Sequence, residues 1–343
     1  MTGGAVTAGL VCAHHHLYSS LARGMPPPPS IPRDFPEILE MVWWRLDAAL
    51  DLEMIRWSAM LGALEALESG TTAIVDHHES PNAIEGSLDV IAEACAQVGI
   101  RVVAAYGVTD RHGPDGARQG LAENRRFLAA GGRGMVGVHA AFTCSDDTLE
   151  QASALAAEFG VGVHIHVCED TVDAAAPARL DKLATRSWVI AHGVHLQDDL
   201  PGTIVHNPRS NLNNGVGYAR PARFDNPVAL GTDGIGADML EEFRLAFALD
   251  RSADVTAEPT RAWSWLEAGH DLVPEAVGDR VTWSYSPMDP WRLAYTTDVR
   301  PIEVVVDGRV VLADGVPTQV DAAEVRARAA EQSERLFRRL EDA

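Results

Sequence analysis

Eight short apolar runs, separated over most of the chain by stretches of helical periodicity, predict an α/β protein, a (β/α)8 barrel of the TIM type. A second observation agrees with the first. Nearly every run ends in histidine or aspartate, and in such a barrel the strand ends converge on one rim. Size is the third: 343 residues, 46% of them hydrophobic and 22% charged, suffice for a large buried core. At roughly 150 residues per domain that is about two domains, but a barrel absorbs most of such a length as one.

The runs are Leu10–Ala13, Thr72–Asp76, Arg101–Tyr106, Met135–His139, Val161–Val167, Trp188–His192, Thr203–His206 and Val228–Thr232. They are rich in Val, Ile and Ala and largely unbroken by polar residues, as strands covered on both faces of a parallel sheet must be. Segments 83–99, 118–130 and 146–159 carry apolar residues at helical spacing, with Gly99, Gly134 and Gly160 where helix stops belong. Connection 207–227 shows no helix pattern. The Pro-rich stretch 26–36 reads as a stiff loop leading into a helix at Trp43-Trp44-Arg45, whose tryptophans are expected in the core, with an aromatic lid as the alternative.

After Asp250 the alternation fades. Segments 280–286, 302–306 and 309–312 read as short strands, with Asp307-Gly308 as a tight hairpin turn, and 322–341 as a charged closing helix. The expected organisation is a barrel over 8–270, a small β unit over 271–320 and a helix over 321–343.

Lys and Arg total 28 against 49 Asp and Glu, a formal charge of −21. Such a surface repels phosphate backbones and anionic lipid, so neither nucleic acid nor membrane is expected as a partner. Cys12, Cys95, Cys144 and Cys168 form no C-x-x-C pair and read as reduced thiols. With no basic leader and no long apolar run, the expected location is the cytoplasm.

The thirteen histidines are concentrated at the strand ends. His14, His15 and His16 follow the first run, and Asp76, His77 and His78 the second. His139, His164, His166, His192, His206 and Asp233 close later ones. Buried imidazoles need partners, so this many at one rim points to a metal. Residues i and i+2 of a strand share a side, so His14 and His16 face the axis together while His15 points away. By the same rule His166 lies nearer the rim than His164, and Asp233 supplies a carboxylate from the opposite wall. His14, His16, His166 and Asp233 suit one divalent metal, Zn2+ before Fe2+, with a position left for water. The H-E-x-x-H and H-x-E…P-C-x-x-C signatures are absent, and no Lys ends the fourth run to bridge two metals.

His14-x-His16, His166-x-x-Glu169, His192 in Ala-His-Gly-Val-His-Leu, His206-Asn-Pro and Gly231-Thr-Asp233 together resemble the amidohydrolase superfamily. Within it they resemble the guanine, adenosylhomocysteine and chlorotriazine hydrolases, and most of all the aminohydrolases associated with selenium metabolism (the SsnA type). Tyr18-Ser-Ser-Leu-Ala-Arg-Gly24, Trp43-Trp-Arg-Leu-Asp47, Asp76-His-His78 and Ser210-Asn-Leu-Asn-Asn214 support it.

The resemblance implies hydrolytic deamination of an amino-substituted nitrogen heterocycle, with water and the heterocycle as the small-molecule partners. Asp233 would move the water proton, Glu169 would protonate the ring nitrogen and His192 would stabilise developing charge. His139, Arg23 and His78 are the expected substrate contacts, with His77 as a further wall residue. His164, His195 and His206 are expected to orient neighbours or to be structural. Cleavage of a cyclic amide or a chloro-heterocycle at the same metal is the alternative, and a catalytically inactive barrel serving as a binding module a third. Relatives of this kind begin with a longer segment that forms half of a β-sandwich, whereas here the first strand begins at Leu10. The small unit is therefore expected to be a reduced C-terminal β-sandwich remnant whose open edges favour a homodimer.

Overall fold

The computed structural model describes residues 4–342. The barrel strands are β2 (Leu10–His16), β3 (Thr71–His78), β4 (Arg101–Tyr106), β5 (Val136–Ala140), β6 (Val163–Val167), β7 (Val189–His192), β8 (Thr203–His206) and β9 (Val228–Leu230), after a short β1 (Val6–Thr7). Each lies within about three residues of its expected run. All neighbouring pairs in β2-β3-β4 and β5-β6-β7-β8-β9 are parallel, and the bridges Ala104–Gly134 and Val108–Val138 join the two sheets. On the other side the chain returns to β2. The Thr232 N–H donates to the His14 carbonyl at 3.1 Å, and β10 (Asp233–Gly234) pairs in parallel with His15 and His16. That register sets Asp233 level with the histidines of β2.

Side-chain alternation divides the core into two layers. Val11, Ala13, Ala73, Val75, Val103, Ala105, Met135, Val189, Val205 and Ala229 fill the barrel interior, and Leu272, Val273 and Ala276 pack beneath them. Cys12, Ile74, Val102, Ala104, Val136, Val138, Ile165 and Ile204 face outward under the helices. Strict alternation from Val11 and Ala13 would carry His15, not His14, into the interior. A register irregularity between Cys12 and His15 reverses the phase, and bulges of this kind re-aim side chains beside functional sites.

Helices Ser87–Val98 and Asp146–Phe159 end on the left-handed Gly99 and Gly160. Gly134, by contrast, permits close approach of two strands, since at the β4–β5 bridge a Cβ there would stand 2.6 Å from the Ala104 carbonyl oxygen. Connection 207–227 does contain a helix, Pro208–Asn213, too short to show a periodic pattern and opened by proline in its first turn.

β1, β11 (Arg280–Trp283), β12 (Pro301–Val306), β13 (Arg309–Ala313) and β14 (Val316–Pro317) form one five-stranded antiparallel sheet in that order. The small unit thus draws a strand from ahead of the barrel as well as from the C-terminal region. Asp307 and Gly308, both at positive φ, make the β12–β13 turn. Trp283 is fully buried in this sheet, lies against Gly70 at the start of β3, and donates to Thr7 Oγ1 at 2.8 Å. Helix Ala322–Asp342 returns to pack on the barrel helix Leu52–Glu68. No described helix is long and apolar enough to cross a membrane.

Candidate metal-dependent active site

The strand ends bring the predicted ligands together. Ligand atoms of His14, His16, His166 and Asp233 all lie within 4.8 Å of one another, and those of Glu169, His192 and Asp233 form a second such group. Asp233 Oδ1 is 3.1 Å from His14 Nε2 and 2.9 Å from His16 Nε2. His192 and Asp233 sit at φ +71° and +57°, a left-handed conformation that costs non-glycine residues about 1–3 kcal/mol each and marks sites where geometry is imposed.

Hydrogen bonds at the far side of each ring fix where the lone pairs point. His16 Nδ1 donates to the His77 carbonyl and His166 Nδ1 to the His139 carbonyl, both at 2.6 Å. Each ring therefore presents Nε2 inward, and the two nitrogens are 3.2 Å apart. His14 Nδ1 bonds His164 Nε2 at 2.8 Å, which turns the His14 Nε2 lone pair toward Asp233. Three imidazole nitrogens and a carboxylate converging on one point call for positive charge among them, a proton or a metal cation. The residues fit a divalent metal, each held by an orienting partner. Electrostatics agrees: burial disfavours a charged His16, yet Asp233 raises its pKa to about 9, so the cluster draws positive charge inward. Asp233 is pushed upward by burial, but His16 and His14 hold it well below the usual carboxylate range.

The remaining groups approach from the helix Pro208–Asn213 and the residue that follows it. Ser210 Oγ donates to Asp233 Oδ2, Asn211 Oδ1 accepts from His192 Nδ1 at 2.8 Å, and Asn214 Nδ2 donates to Glu169 Oε1 at 3.2 Å. His192 Nε2 is thereby left as an acceptor, 3.4 Å from Glu169 Oε2. Burial pushes the Glu169 carboxyl up to about 7. In the sequence Ser210 to Asn214 carry the family resemblance and no role of their own; the signal for a role is the proline-opened turn directly after a strand end.

A cleft of about 680 Å3, its open mouth included, leads from the cluster to solvent and is lined among others by His16, Tyr18, His139, His166, Glu169 and Asp233. Phe35, Leu39, Trp43 and Trp44 form one wall, so the tryptophans line the cleft instead of lying only in the core. They are carried there by a segment with a π-helical turn at Leu39–Trp43, a local irregularity common at functional sites.

Two expected substrate contacts are not brought to the cleft. Arg23 lies on the outer surface, its guanidinium paired with Glu65 at 2.6 Å beside helix Leu52–Glu68. His78 bonds Ser80 Oγ at 2.8 Å and packs edge-on against Tyr18 and Tyr106, because alternation from Ala73 and Val75 turns His77 inward instead. His77 lies 4.6 Å from His166 and 5.0 Å from His164 by ring centroid. His139 does line the cleft, with Nδ1 bonded to Thr143 Oγ1 at 2.7 Å. His195 bonds the Val216 carbonyl and His206 packs against Tyr218 and Trp265.

A parallel α/β barrel with such a cluster at the C-terminal ends of its strands defines the class: a metal-dependent barrel hydrolase. Residues 5–268 match the profile of the amidohydrolase family, and the chain belongs to that family, acting as a hydrolase of non-peptide carbon–nitrogen bonds. A 5-methylthioadenosine/S-adenosylhomocysteine deaminase of Symbiobacterium thermophilum is 31% identical over 98% of this chain and 88% of its own length. A 5′-deoxyadenosine deaminase of Methanopyrus kandleri is 29% identical over 96% and 86% respectively. Among solved structures, a zinc-bound adenosine deaminase of Xanthomonas campestris superposes with a TM-score of 0.83 at 22% identity, over 97% of this chain and 86% of that one. The zinc complex of atrazine chlorohydrolase from Arthrobacter aurescens gives 0.78 at 21%, over 96% and 88%. At those identities the two structures speak to the fold.

Proposed function

We propose that the protein is a metal-dependent deaminase of adenine-type heterocycles, exchanging an exocyclic amino group for oxygen and releasing ammonia. The observation that carries this reading is the meeting of two groups on one carboxylate: His14, His16 and His166 on one side of Asp233, Glu169 and His192 on the other. The names of the relatives supply the adenine-type substrate class.

His14, His16, His166 and Asp233 would hold a divalent ion, for which zinc is the assignment on ligand type and on the zinc-bound neighbours. When bound, such an ion supplies the Lewis acidity that brings the pKa of water toward neutrality. Asp233, held ionised by its histidine neighbours, accepts the proton of the attacking water and returns it to the departing amine. Glu169, kept in its acid form up to about pH 7 by burial, donates to the ring nitrogen beside the attacked carbon. His192, its Nδ1–H engaged by Asn211, offers Nε2 as a fixed acceptor that holds the water in line. His139 and the Trp43–Trp44 wall face the planar ring.

Ammonia release from adenosine, 5′-deoxyadenosine and 5′-methylthioadenosine by the zinc-loaded protein tests this reading. Turnover of at least one, lost by more than about 100-fold in Glu169→Gln, is expected. A zinc-loaded protein inert toward all three, or a Glu169→Gln variant as active as wild type, overturns it.

A further inference from the structure

The cleft is rich in acidic side chains. Six carboxylate residues line it (Asp47, Glu79, Glu169, Asp170, Asp173 and Asp233), and none of its described lining residues is lysine or arginine. The nearest guanidinium, Arg111, is already engaged. It pairs with both Asp47, at 3.1 Å, and Glu79, and its Cζ lies 4.4 Å over the Trp44 ring. Asp47 and Glu79 are 1% and 4% exposed. One cation facing two buried carboxyls leaves the trio no positive charge to offer a ligand. Two polar atoms of this wall, Asp47 Oδ1 and Trp44 Nε1, are buried without a hydrogen-bond partner, and the free oxygen of Glu79 lies 3.7 Å from His139 Nε2, beyond hydrogen-bonding reach. The wall is thus built and braced, yet incomplete in its polar contacts, which is the condition of a recognition surface awaiting a ligand.

Resting on the deaminase reading above, we infer that Asp47 and Glu79, braced by Arg111, select substrates by charge: uncharged or cationic amino-heterocycles enter and those carrying a carboxylate or phosphate are rejected. An anion against this wall meets Asp47 and Glu79 at low dielectric with their one guanidinium already engaged, whereas an ammonium or hydroxyl donor satisfies Asp47 Oδ1. Burial pushes the proton affinity of both carboxyls upward, and at Asp47 the neighbouring Glu79 adds to it, in the same sense as a preference for positive charge. An acid swung in from a substrate tail would compete with them for Arg111, and displacing either would strand a buried carboxylate.

The test is a series altered only at the 5′ carbon of adenosine: 5′-amino-5′-deoxyadenosine, 5′-deoxyadenosine, adenosine-5′-carboxylate and adenosine 5′-monophosphate. Each is offered to the zinc-loaded protein, with kcat/KM from ammonia release and Kd from calorimetry. The amine and the 5′-deoxy compound are expected to exceed both anions by at least about 100-fold. Asp47→Asn and Glu79→Gln should each narrow the amine-to-carboxylate ratio about tenfold, a ratio unaffected by how much of a variant is folded. Anions handled as well as the amine, or a ratio unmoved in both variants, overturn the inference while leaving the deaminase reading intact. Binding in the expected order without turnover supports the inference and counts against the reading. Binding by none of the four overturns both.

Discussion

His16 and His166 direct their Nε2 atoms at one point, 3.2 Å apart, because backbone carbonyls hold the opposite nitrogens. His14 depends in the same way on a side chain, His164, so that partner can be tested alone. His164→Asn is expected to weaken zinc binding by about 10- to 100-fold with little change in far-ultraviolet circular dichroism, measured by competition with a chelator. Unchanged affinity would show that His14 needs no orienting partner. As the proposed acid, Glu169 would set the alkaline limb of activity. Its acid form normally disappears above pH 4.5, but here burial moves the transition to about 7, so proton donation persists to neutrality and fails above it. In a pH profile kcat is expected to fall as pH rises through about 7; activity flat from pH 6 to 9 would remove Glu169 as the acid. The meeting of His14, His16, His166 and Asp233 was legible in the sequence because strand ends in a barrel converge whatever the loops do. Arg23 and His78 were misplaced for local reasons: a surface carboxylate captures the first, and period-two alternation along β3 turns the second away.

The β2 irregularity and the short helix Pro208–Asn213 do more for the site than any long element, and neither leaves a strong mark in the sequence. A bulge is a backbone event between ordinary residues, and one and a half turns of helix are too few for apolar periodicity. The long elements were legible because each buries one continuous stripe or run. A different local dependence joins β3 to β11. Gly70 stands at φ +86°, and a Cβ there would lie 2.4 Å from the Trp283 ring. Gly70→Ala is therefore expected to destabilise the protein by at least about 2 kcal/mol and Trp283→Ala by about 3–5 kcal/mol, read from urea unfolding. If both variants unfold at the wild-type midpoint, the sheet and the barrel do not support each other.

At the scale of the molecule, the small sheet is fastened to the barrel by charge as well as by Trp283. Arg101, the first residue of β4, pairs with Asp279, just ahead of β11, and with Asp307 of the hairpin turn. Asp279 is buried, so Arg101→Ala strands its carboxylate and is expected to cost about 3 kcal/mol, read from urea unfolding. The sequence showed strands on the C-terminal side but not that Val6–Thr7 completes their sheet, since two residues carry no pattern of their own. Everything proposed for the cleft rests on one feature, the convergence of His14, His16, His166 and Asp233 on a divalent ion. Metal content by inductively coupled plasma mass spectrometry, for the wild type and Asp233→Ala after incubation with zinc and desalting, tests it most directly. About one zinc per chain in the wild type and a small fraction of that in the variant is the predicted result. Wild-type protein that retains no zinc, or a variant that retains as much, would contradict the account.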